Sequence, residues 1–500
     1  MKRDLLLALD LGTTRVCALL MDESGAVLAR ADRALSAGYP EPGWMEQDPV
    51  EMWESSIRVL REALARGDVP ARRVAGLGVV TQRSTTVAWD AESGAPLAPA
   101  IGWQDQRTAE HVASLRARGI PITTLPSATK FQWWLERDGP VSDAAQRGTL
   151  CLGTPDVWLT SRLTGGESFA TDPSCASCTG LMSLATGDWF PEALDLFGVP
   201  RGALPEIVPT ARALAETPGD LLGAPIPVAA RAGDQQAASF AQGTHAPGQS
   251  KLTLGTSAML DLHTEGIASK PPAGTYPLAL WRLPATGDHF CVEGTVITAG
   301  ALIDWLVELG VLEQPSSLDG LAAEVPSSEG VAFVPALQGL GTPYMDEAAR
   351  GLLGGLTRGT TTAHIARAAV DGVAQRCADV CEAMADLREA ATEFGESAEP
   401  GSDVLPVDGG LAASDLLLQT LADLTGRTVE RAGELETTAV GAALLAGLAV
   451  GILPDLAACR ATRTAGVLFT PSLPESERRQ SRARWAEVVA RSRGTGLRTA

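Results

Sequence analysis

Residues 5–21 read LLLALDLGTTRVCALLM, two apolar runs joined by the turn GTT at 12–14. Residues 250–264, SKLTLGTSAMLDLHT, repeat this pattern around the turn GTS at 255–257. Such turns are common in ordinary β-hairpins. They also expose backbone N–H groups and small hydroxyls where no bulky side chain blocks an anion, so they can bind phosphate. Because the pattern occurs twice, it predicts two related domains, each a sheet with helices.

The two hairpins differ in one acidic residue. Asp10 stands two residues before the first turn, whereas Thr253 holds the equivalent position before the second. A carboxylate beside a phosphate-binding turn repels the anion unless a cation lies between them. The sequence therefore predicts a Mg²⁺ ion at Asp10 and a nucleotide between two phosphate-binding turns.

The composition is that of a globular protein with more than one core. The chain has 500 residues, 45% of them hydrophobic and 20% charged, so two large domains are expected. No stretch is long and apolar enough to span a bilayer, and Asp10 interrupts the first apolar run, so we expect a cytoplasmic protein. The net charge of −20 argues against nucleic acid and membrane surfaces as partners.

Common catalytic and metal-binding motifs are absent. Cys175 and Cys178 form a single CxxC without a second pair, which argues against a zinc site. The five histidines are too dispersed for a HExxH site, and there is no GxSxG, Walker A or GxGxxG motif. Catalysis by histidine is therefore not expected.

The order of predicted elements indicates an α/β protein with a mixed sheet in each half. In the first half we predict strands up to residue 35, a helix at 50–66, a strand at 74–82, a hairpin at 87–97, and a strand that turns into a helix near 233. In the second half we predict helices at 298–310, 361–388, 412–425 and 437–450 and a helical tail from 471. The expected domains are 1–245 and 250–460, followed by a tail at 461–500.

Eleven motifs, taken in order, carry a family resemblance. They are ALDLGTT, YPEPGWMEQDPVEMW, TQRSTTVAWD, IGWQDQRT, AGDQQAASFAQG, LTLGTS, EGTVITAGALIDWL, VPALQGLGTPYMDEAARG, LTRGTT, VDGG and ETTAVGAALLAGLAVG. From about residue 5 to residue 460 the chain resembles the FGGY carbohydrate kinases, and within that family the glycerol kinases. The resemblance implies two ribonuclease-H-like domains, of the kind found in actin and sugar kinases, with ATP and acceptor meeting in the cleft between them.

The resemblance also implies catalytic roles. Asp234 matches the family's catalytic base, which accepts the proton of the acceptor hydroxyl; its alternative role is as the N-cap of the helix that follows. Asp10 would hold Mg²⁺ through water. The phosphates of ATP would be bound by residues of the two turns, namely Gly12, Thr13, Thr14, Gly255 and Thr256.

Other positions match the family's adenosine-binding residues. They are Gly300, Asp304, Gly409, Gly410 and Ser414. Asp304 stands where glycerol kinases usually have Gln, and Ser414 where they usually have Asn. The resemblance thus implies an ATP site in the C-terminal domain with altered hydrogen bonds to adenosine.

The acceptor site departs most from the family pattern. Gln82, Arg83, Trp103 and Gln235 match it. However, Ser84 stands where glycerol kinases have Glu, Leu125 where they have Tyr, and Met259 where they have Phe. A site that binds substrate hydroxyls by hydrogen bonds discriminates sharply, so we expect a different small polyol or a ketose as acceptor.

Two alternatives stay open at this stage: a true glycerol kinase, and an ATP-binding regulatory member of the superfamily that has no catalytic activity. Asp234 and Arg83 favour an enzyme, because a protein that only binds ATP has no use for them. A homodimer is the default expectation for an enzyme of this size.

Overall fold

The structure is a computed structural model that describes residues 2–394, 403–434 and 436–494. The chain folds into two compact units. Unit 1 consists of Met1–Gly243, Leu278–His289 and Glu436–Arg463. Unit 2 consists of Thr244–Pro277, Phe290–Leu435 and Thr464–Ala500. The units therefore do not coincide with the continuous segments 1–245 and 250–460, because two later segments complete unit 1.

The strands, in chain order, are Leu5–Leu11 (β1), Arg15–Asp22 (β2), Val27–Ala34 (β3), Glu46–Gln47 (β4), Val74–Thr81 (β5), Val87–Asp90 (β6), Ala100–Ile101 (β7), Leu150–Gly153 (β8), Ala170–Thr171 (β9), Met182–Ser183 (β10), Asp188–Trp189 (β11), Glu206–Ile207 (β12), Ala211–Glu216 (β13), Pro227–Gly233 (β14), Ser250–Leu254 (β15), Ala258–Thr264 (β16), Thr275–Leu283 (β17), Gly287–Val296 (β18), Ala332–Val334 (β19), Leu352–Gly354 (β20), Val404–Asp408 (β21), Thr428–Arg431 (β22) and Val467–Phe469 (β23).

The helices are Pro49–Arg66 (α1), Ala109–Ala117 (α2), Ala128–Leu135 (α3), Pro140–Arg147 (α4), Pro155–Leu163 (α5), Pro173–Ser177 (α6), Pro191–Phe197 (α7), Gly219–Leu222 (α8), Asp234–Ala241 (α9), Gly300–Glu308 (α10), Leu318–Ala322 (α11), Thr362–Ala383 (α12), Ala385–Phe394 (α13), Asp415–Thr425 (α14), Thr437–Ala449 (α15), Leu456–Ala461 (α16) and Glu475–Ser492 (α17).

Unit 1 is built on a six-stranded mixed sheet with the order β13-β14-β5-β1-β2-β3. The first three strands form an antiparallel meander, and β5 and β14 add in parallel to β1. Helix α1 packs against β1 and β2, and α15 packs against β1, β5 and β14. Because helices pack against it as well as neighbouring strands, β1 is a nearly continuous run of buried leucines rather than an alternating strand.

The start of helix α1 and the face that it buries follow from its local sequence. Asp48 caps its N-terminus by accepting a hydrogen bond from the Val50 N–H, and Pro49 occupies its first turn. Met52 and Leu60 lie on the buried side of the helix in the core of unit 1. The cap and the apolar stripe together set the start of the helix and the face that packs on the sheet.

Unit 2 repeats this plan. Its sheet includes strands in the order β18-β16-β15-β21-β22-β23, in which β15 and β16 form an antiparallel hairpin and β21 and β22 add in parallel to β15. The order β18-β16-β15-β21-β22-β23 thus matches β3-β2-β1-β5-β14-β13, with an antiparallel strand at the end in both sheets. The internal repeat predicted from the two hairpins is present in the topology.

Several predicted elements have different bounds. The helix expected at 361–388 is two helices, α12 and α13, which break at the buried residue Met384. The helix expected at 412–425 is a 3-10 turn, Gly410–Ala413, followed by α14, because Ser414 adopts an extended backbone between them. The helix expected at 298–310 is the shorter α10.

The hairpin expected at 87–97 is mostly absent. Strand β6 pairs with β8, and the segment after it returns with a single bridge between Trp89 and Pro96. Proline has no N–H, so it cannot extend a ladder of hydrogen bonds.

The predicted helical tail is present as α17. The last residues of the tail predicted at 471–500, from 495 onward, lie outside the described residues. Within the described part of the chain, no helix has both the length and the apolar character needed to cross a membrane.

Candidate active site

The predicted acceptor-side residues of unit 1 lie at the carboxyl ends of three parallel strands. Leu11 of β1, Thr81 of β5 and Gly233 of β14 are in register across the sheet. Asp234 follows directly after Gly233, and Gln82 follows Thr81. Ligands of α/β sheets bind outside the carboxyl ends of the strands, so this edge is the candidate acceptor site.

Asp234 lies at the junction between strand β14 and helix α9. Its Oδ1 is 3.2 Å from Arg83 Nε and accepts a hydrogen bond from the Gln235 N–H at 2.8 Å. The side chain is 28% exposed, so a small molecule can reach it. Gly233, not Asp234, is the N-cap of α9, so the alternative role of Asp234 as the cap is wrong. As the first residue of the helix, the carboxylate still gains from the helix dipole.

Asp10 lies on the central strand at the same edge of the sheet. Its Oδ1 is buried and has no hydrogen-bond partner within residues 2–394, 403–434 and 436–494. Burial, together with the nearby charges of Asp234 and Glu436, raises the pKa of Asp10 to about 8. A buried carboxylate whose charge the protein does not compensate fits a bound cation.

A site for Mg²⁺ at Asp10 would rest on this one carboxylate. No group of three or more His, Cys, Asp or Glu in the described residues is arranged to hold a metal. Mg²⁺ is often bound by one or two carboxylates together with substrate phosphates and water. Asp10 therefore fits the predicted ion without further protein ligands.

The first turn is tied to the acceptor side by hydrogen bonds. The Thr13 hydroxyl donates to Gln82 Oε1 at 2.9 Å and accepts from Trp103 Nε1 at 3.0 Å. Gln47 donates to the Thr13 carbonyl at 2.8 Å and accepts from Gln82 Nε2 at 2.7 Å. The side chain of Thr14 is exposed. The network thus uses the Thr13 hydroxyl, and the Thr14 hydroxyl is the more accessible of the two for a phosphate.

Ser84 occupies a strained position beside Arg83. Its φ is 62°, which is unusual for a residue other than glycine. Its hydroxyl donates to the Cys178 carbonyl at 3.1 Å, and Arg83 Nη1 lies 3.7 Å from Cys178 Sγ. The Ser84 side chain therefore contacts protein at this point. Strained backbone of this kind is common at binding sites.

The predicted nucleotide residues of unit 2 meet in one cavity of about 630 Å³. Gly255 and Thr256 of the second turn, Gly300 and Asp304 of α10, and residues of the Gly410–Ala413 turn all line it. This volume lies within the range of sites for molecules of cofactor size. The structure thus brings together residues that are more than 150 positions apart in the sequence.

Gly300, which lines this cavity, and Gly409, which directly precedes the lining residue Gly410, have packing roles. A Cβ on Gly300 would lie 2.6 Å from the Gly255 carbonyl oxygen, and the Gly300 N–H donates to that oxygen at 2.9 Å. Gly409 has φ of +90°, and a Cβ there would meet the Leu254 carbonyl at 2.5 Å. Glycine is therefore required at both positions by the close approach of the second turn.

Ser414 lines the same cavity and also makes structural hydrogen bonds. Ser414 is the N-cap of α14, accepting from the Leu417 N–H at 3.0 Å, and its hydroxyl donates to the Asp319 carboxylate. The hydroxyl thus uses its donor and one of its two acceptor lone pairs inside the protein. Asp319 also accepts a hydrogen bond from the Leu416 N–H at 3.2 Å. It is a further polar residue in the lining of the cavity.

Met259 lies on β16 of unit 2, where it pairs with Thr253 of β15.

Thr253 replaces the acid of the first hairpin. Its hydroxyl donates to Asp408 Oδ1 at 2.6 Å and accepts from Lys251 Nζ at 2.8 Å. The carboxylate that the second hairpin lacks is thus present on the neighbouring strand, β21, next to Gly409.

Some site residues were missed in the sequence. Gln47 lies within a quoted motif but was given no role, and Lys130, Ser174 and Asp319 lie outside the quoted motifs. The Ser174 hydroxyl accepts a hydrogen bond from the Gly233 N–H at 2.8 Å and so supports the end of β14, directly before Asp234. The sequence carried a signal for Gln47 alone, through its place in YPEPGWMEQDP.

Cys175 and Cys178 lie in and directly after α6 as free thiols, and Cys175 is fully buried. They form no disulfide.

Comparisons with known proteins agree with this arrangement. Residues 5–241 match the N-terminal domain of the FGGY family of carbohydrate kinases, and residues 251–450 match its C-terminal domain. The chain belongs to the FGGY family of carbohydrate kinases. It is therefore a phosphotransferase of a family that uses ATP and acts on sugars or polyols.

Individual relatives and structures are glycerol and xylulose kinases. The chain is 42% identical to a glycerol kinase of Citrifermentans bemidjiense over 502 residues, covering 98% of this chain and 99% of the relative. It is 42% identical to a glycerol kinase of Thermus brockianus, covering 98% of both. Its structure is similar to that of Plasmodium falciparum glycerol kinase with ADP, with TM-score 0.88, 25% identity and 98% coverage of both chains.

A xylulose kinase from Lactobacillus acidophilus, 20% identical, shares the fold with TM-score 0.83 over 97% of this chain and 98% of that one. The predicted two-domain sugar-kinase fold is thus confirmed.

Proposed function

We propose that this FGGY kinase transfers the γ-phosphoryl group of ATP to a hydroxyl of a small polyol. The observation that carries the proposal is the edge of the unit 1 sheet, where Asp234 pairs with Arg83 at 3.2 Å and Asp10 keeps a buried carboxylate oxygen without a hydrogen bond from the described residues. In this set Asp234 is the base, the guanidinium of Arg83 is a positive charge beside the acceptor, and Asp10 is the ligand for a metal. Phosphoryl transfer depends mainly on such positioning and charge stabilisation.

Each residue then has a role. Asp234 accepts the proton of the acceptor hydroxyl as its oxygen bonds to phosphorus, and Arg83 orients the acceptor. Mg²⁺, held by Asp10, would supply neutralisation of charge on the phosphates. Thr14 and the amides of the first turn bind phosphate oxygens, and the unit 2 cavity with Gly300 and Asp304 binds adenosine.

Glycerol is the first candidate acceptor. The relatives with 42% identity over nearly the full chain carry the name glycerol kinase, and this favours glycerol over the different acceptor that we expected from the sequence. A different small polyol or a ketose is the second candidate. It is favoured by Ser84 and Leu125, because neither residue provides the carboxylate or the phenol that the glycerol kinases have at these positions.

The base is tested by Asp234→Asn in an assay of ADP release with a panel of polyols and ketoses. We expect acceptor-dependent ADP release to fall by about 10²–10⁴-fold, because the amide cannot accept the proton. The ATP dissociation constant, measured by calorimetry, should stay within about twofold. Equal rates in the two proteins would contradict the proposed role of Asp234.

The same panel identifies the acceptor. If glycerol has the highest kcat/KM by more than tenfold, the protein is a glycerol kinase. If another polyol or a ketose exceeds glycerol by that margin, the second candidate is correct. If no acceptor stimulates ADP release by the wild type, the proposed function is wrong.

A further inference from the structure

Lys130 is a fully buried lysine beside the acceptor side of unit 1, and the proposed mechanism does not use it. It lies in the first turn of α3, and none of its surface is exposed. A lysine this deeply buried is rare unless it is paired, because removing an ammonium group from water is costly. Desolvation by burial accordingly lowers the pKa of Lys130 to about 7.

The partners of Lys130 are three backbone carbonyl groups. Its Nζ donates to the carbonyl oxygen of Leu125 at 2.8 Å and to those of Ser84 and Trp103 at 3.4 Å each. An ammonium group has three donors, so these three acceptors can use all of them. The nearby charged side chains that act on it are Asp105, which raises its pKa, and Arg107, which lowers it.

These carbonyls belong to three separate segments of the chain. Ser84 follows β5, Trp103 follows β7, and Leu125 precedes α3. Each is also a residue that we assigned to the acceptor pocket from the sequence. Apart from Lys130, the Ser84 carbonyl accepts a hydrogen bond from the Ser127 hydroxyl at 3.1 Å. Lys130 therefore joins the three pocket segments at a single point.

We propose that Lys130 is a positioning residue for the acceptor pocket, because the hydrogen bonds of its Nζ hold the segments of Ser84, Trp103 and Leu125 at a fixed spacing. The inference rests on the proposed function, since it assumes that the acceptor binds beside these residues. Lys130 acts through the loops and touches neither acceptor nor nucleotide. Its loss should therefore affect acceptor binding more than ATP binding, which takes place on residues of unit 2 and the first turn.

The test compares Lys130→Met, Lys130→Gln and the wild type in the ADP-release assay, with the best acceptor from the panel. K130M keeps an unbranched side chain that is one atom shorter and removes every donor, and we expect its acceptor KM to rise at least tenfold while its ATP KM stays within twofold. K130Q keeps two donors, so its acceptor KM should lie between those of K130M and the wild type.

Thr129→Val is the matched control. Thr129 is a buried neighbour on the same helix, and its hydroxyl bonds to that of Thr108 at 3.0 Å, not to the pocket segments. T129V should lower the melting temperature and leave the acceptor KM unchanged. A purely structural role for Lys130 would make K130M behave in the same way.

The outcomes separate the two proposals. If the wild type is active and the acceptor KM of K130M stays within twofold of the wild-type value, the proposed role of Lys130 is wrong and the kinase assignment stands. The same conclusion follows if K130M raises the KM values for acceptor and ATP equally. If neither variant folds at 20 °C, the proposal is also wrong, because Lys130 then serves folding. A wild type that releases no ADP with any acceptor would overturn the proposed function, and this inference with it.

Discussion

We propose that the single side chains of Ser84 and Leu125 set the acceptor preference in a fold that is otherwise shared. The Ser84 hydroxyl bonds to the backbone of Cys178, and Leu125 is an apolar, partly buried side chain. Neither provides the carboxylate or phenol that would bind substrate hydroxyls. Discrimination by such hydrogen bonds is strong because an unmatched buried polar group is costly.

The double variant Ser84→Glu with Leu125→Tyr tests this effect. We expect it to raise kcat/KM for glycerol relative to the other polyols and ketoses by about tenfold or more, because it adds two hydrogen-bonding groups worth about 1 kcal/mol each. Competition assays with acceptor mixtures would measure the ratio. Ser84→Ala is the control, since it removes only the bond to Cys178. No change in the ratio would show that these positions do not select the acceptor.

At the scale of elements, helix α15 packs against α9, the helix whose first residue is Asp234. Gly441 lies where this helix crosses α9, and a Cβ there would be 2.0 Å from the Ala237 carbonyl oxygen. The contact between α15 and β5 is equally close, because a Cβ on Gly78 of β5 would be 2.0 Å from the Ala442 carbonyl oxygen. Helix α9 begins with Asp234, so any shift of α9 moves the proposed base.

Gly441→Ala should therefore reduce stability and activity together. Overpacking of this kind costs about 1–3 kcal/mol, and we expect the melting temperature of unit 1 to fall by several degrees. A displacement of about 1 Å at Asp234 should lower kcat at least tenfold. Gly202→Ala is the control, because a Cβ at Gly202 meets no atom within 4 Å. If G441A melts and turns over like the wild type, α9 does not depend on this contact.

For the whole molecule, unit 1 is assembled from distant parts of the chain. Helix α15 is buried almost all round, with Ala443 and Leu445 among its fully enclosed side chains, and it packs against β1, β5 and β14. A helix that is apolar on every face needs a core to surround it. The N-terminal segment alone would leave one face of its sheet without this helix.

We therefore expect a fragment of residues 1–245 to be poorly packed. It should bind a hydrophobic dye and lack near-ultraviolet circular dichroism while retaining secondary structure. A second fragment, in which a Gly/Ser linker joins 436–463 to 1–245, should melt cooperatively, because α15 covers the exposed face. Equal cooperativity of the two fragments in thermal melts would show that 1–245 is a complete domain.

Local patterns in the sequence were sufficient for several elements and for the repeat. The hairpins around the two glycine turns, helix α1, and the junction from β14 to α9 were all predictable, because each depends on residues that are neighbours in the chain. The family resemblance then implied a metal ligand at Asp10 and a base at Asp234. Those parts of the fold and the reaction class followed from the sequence.

The tertiary structure decided what depends on distant residues. It placed α15 in unit 1, engaged Ser414 with Asp319, and gave Lys130 the carbonyls of three separate loops. No local pattern encodes these contacts, since each one joins segments that meet only after the sheets have formed. The two glycine turns and the reaction class of the family can be read in the sequence, whereas the shape of the proposed acceptor pocket depends on packing between segments far apart in the chain.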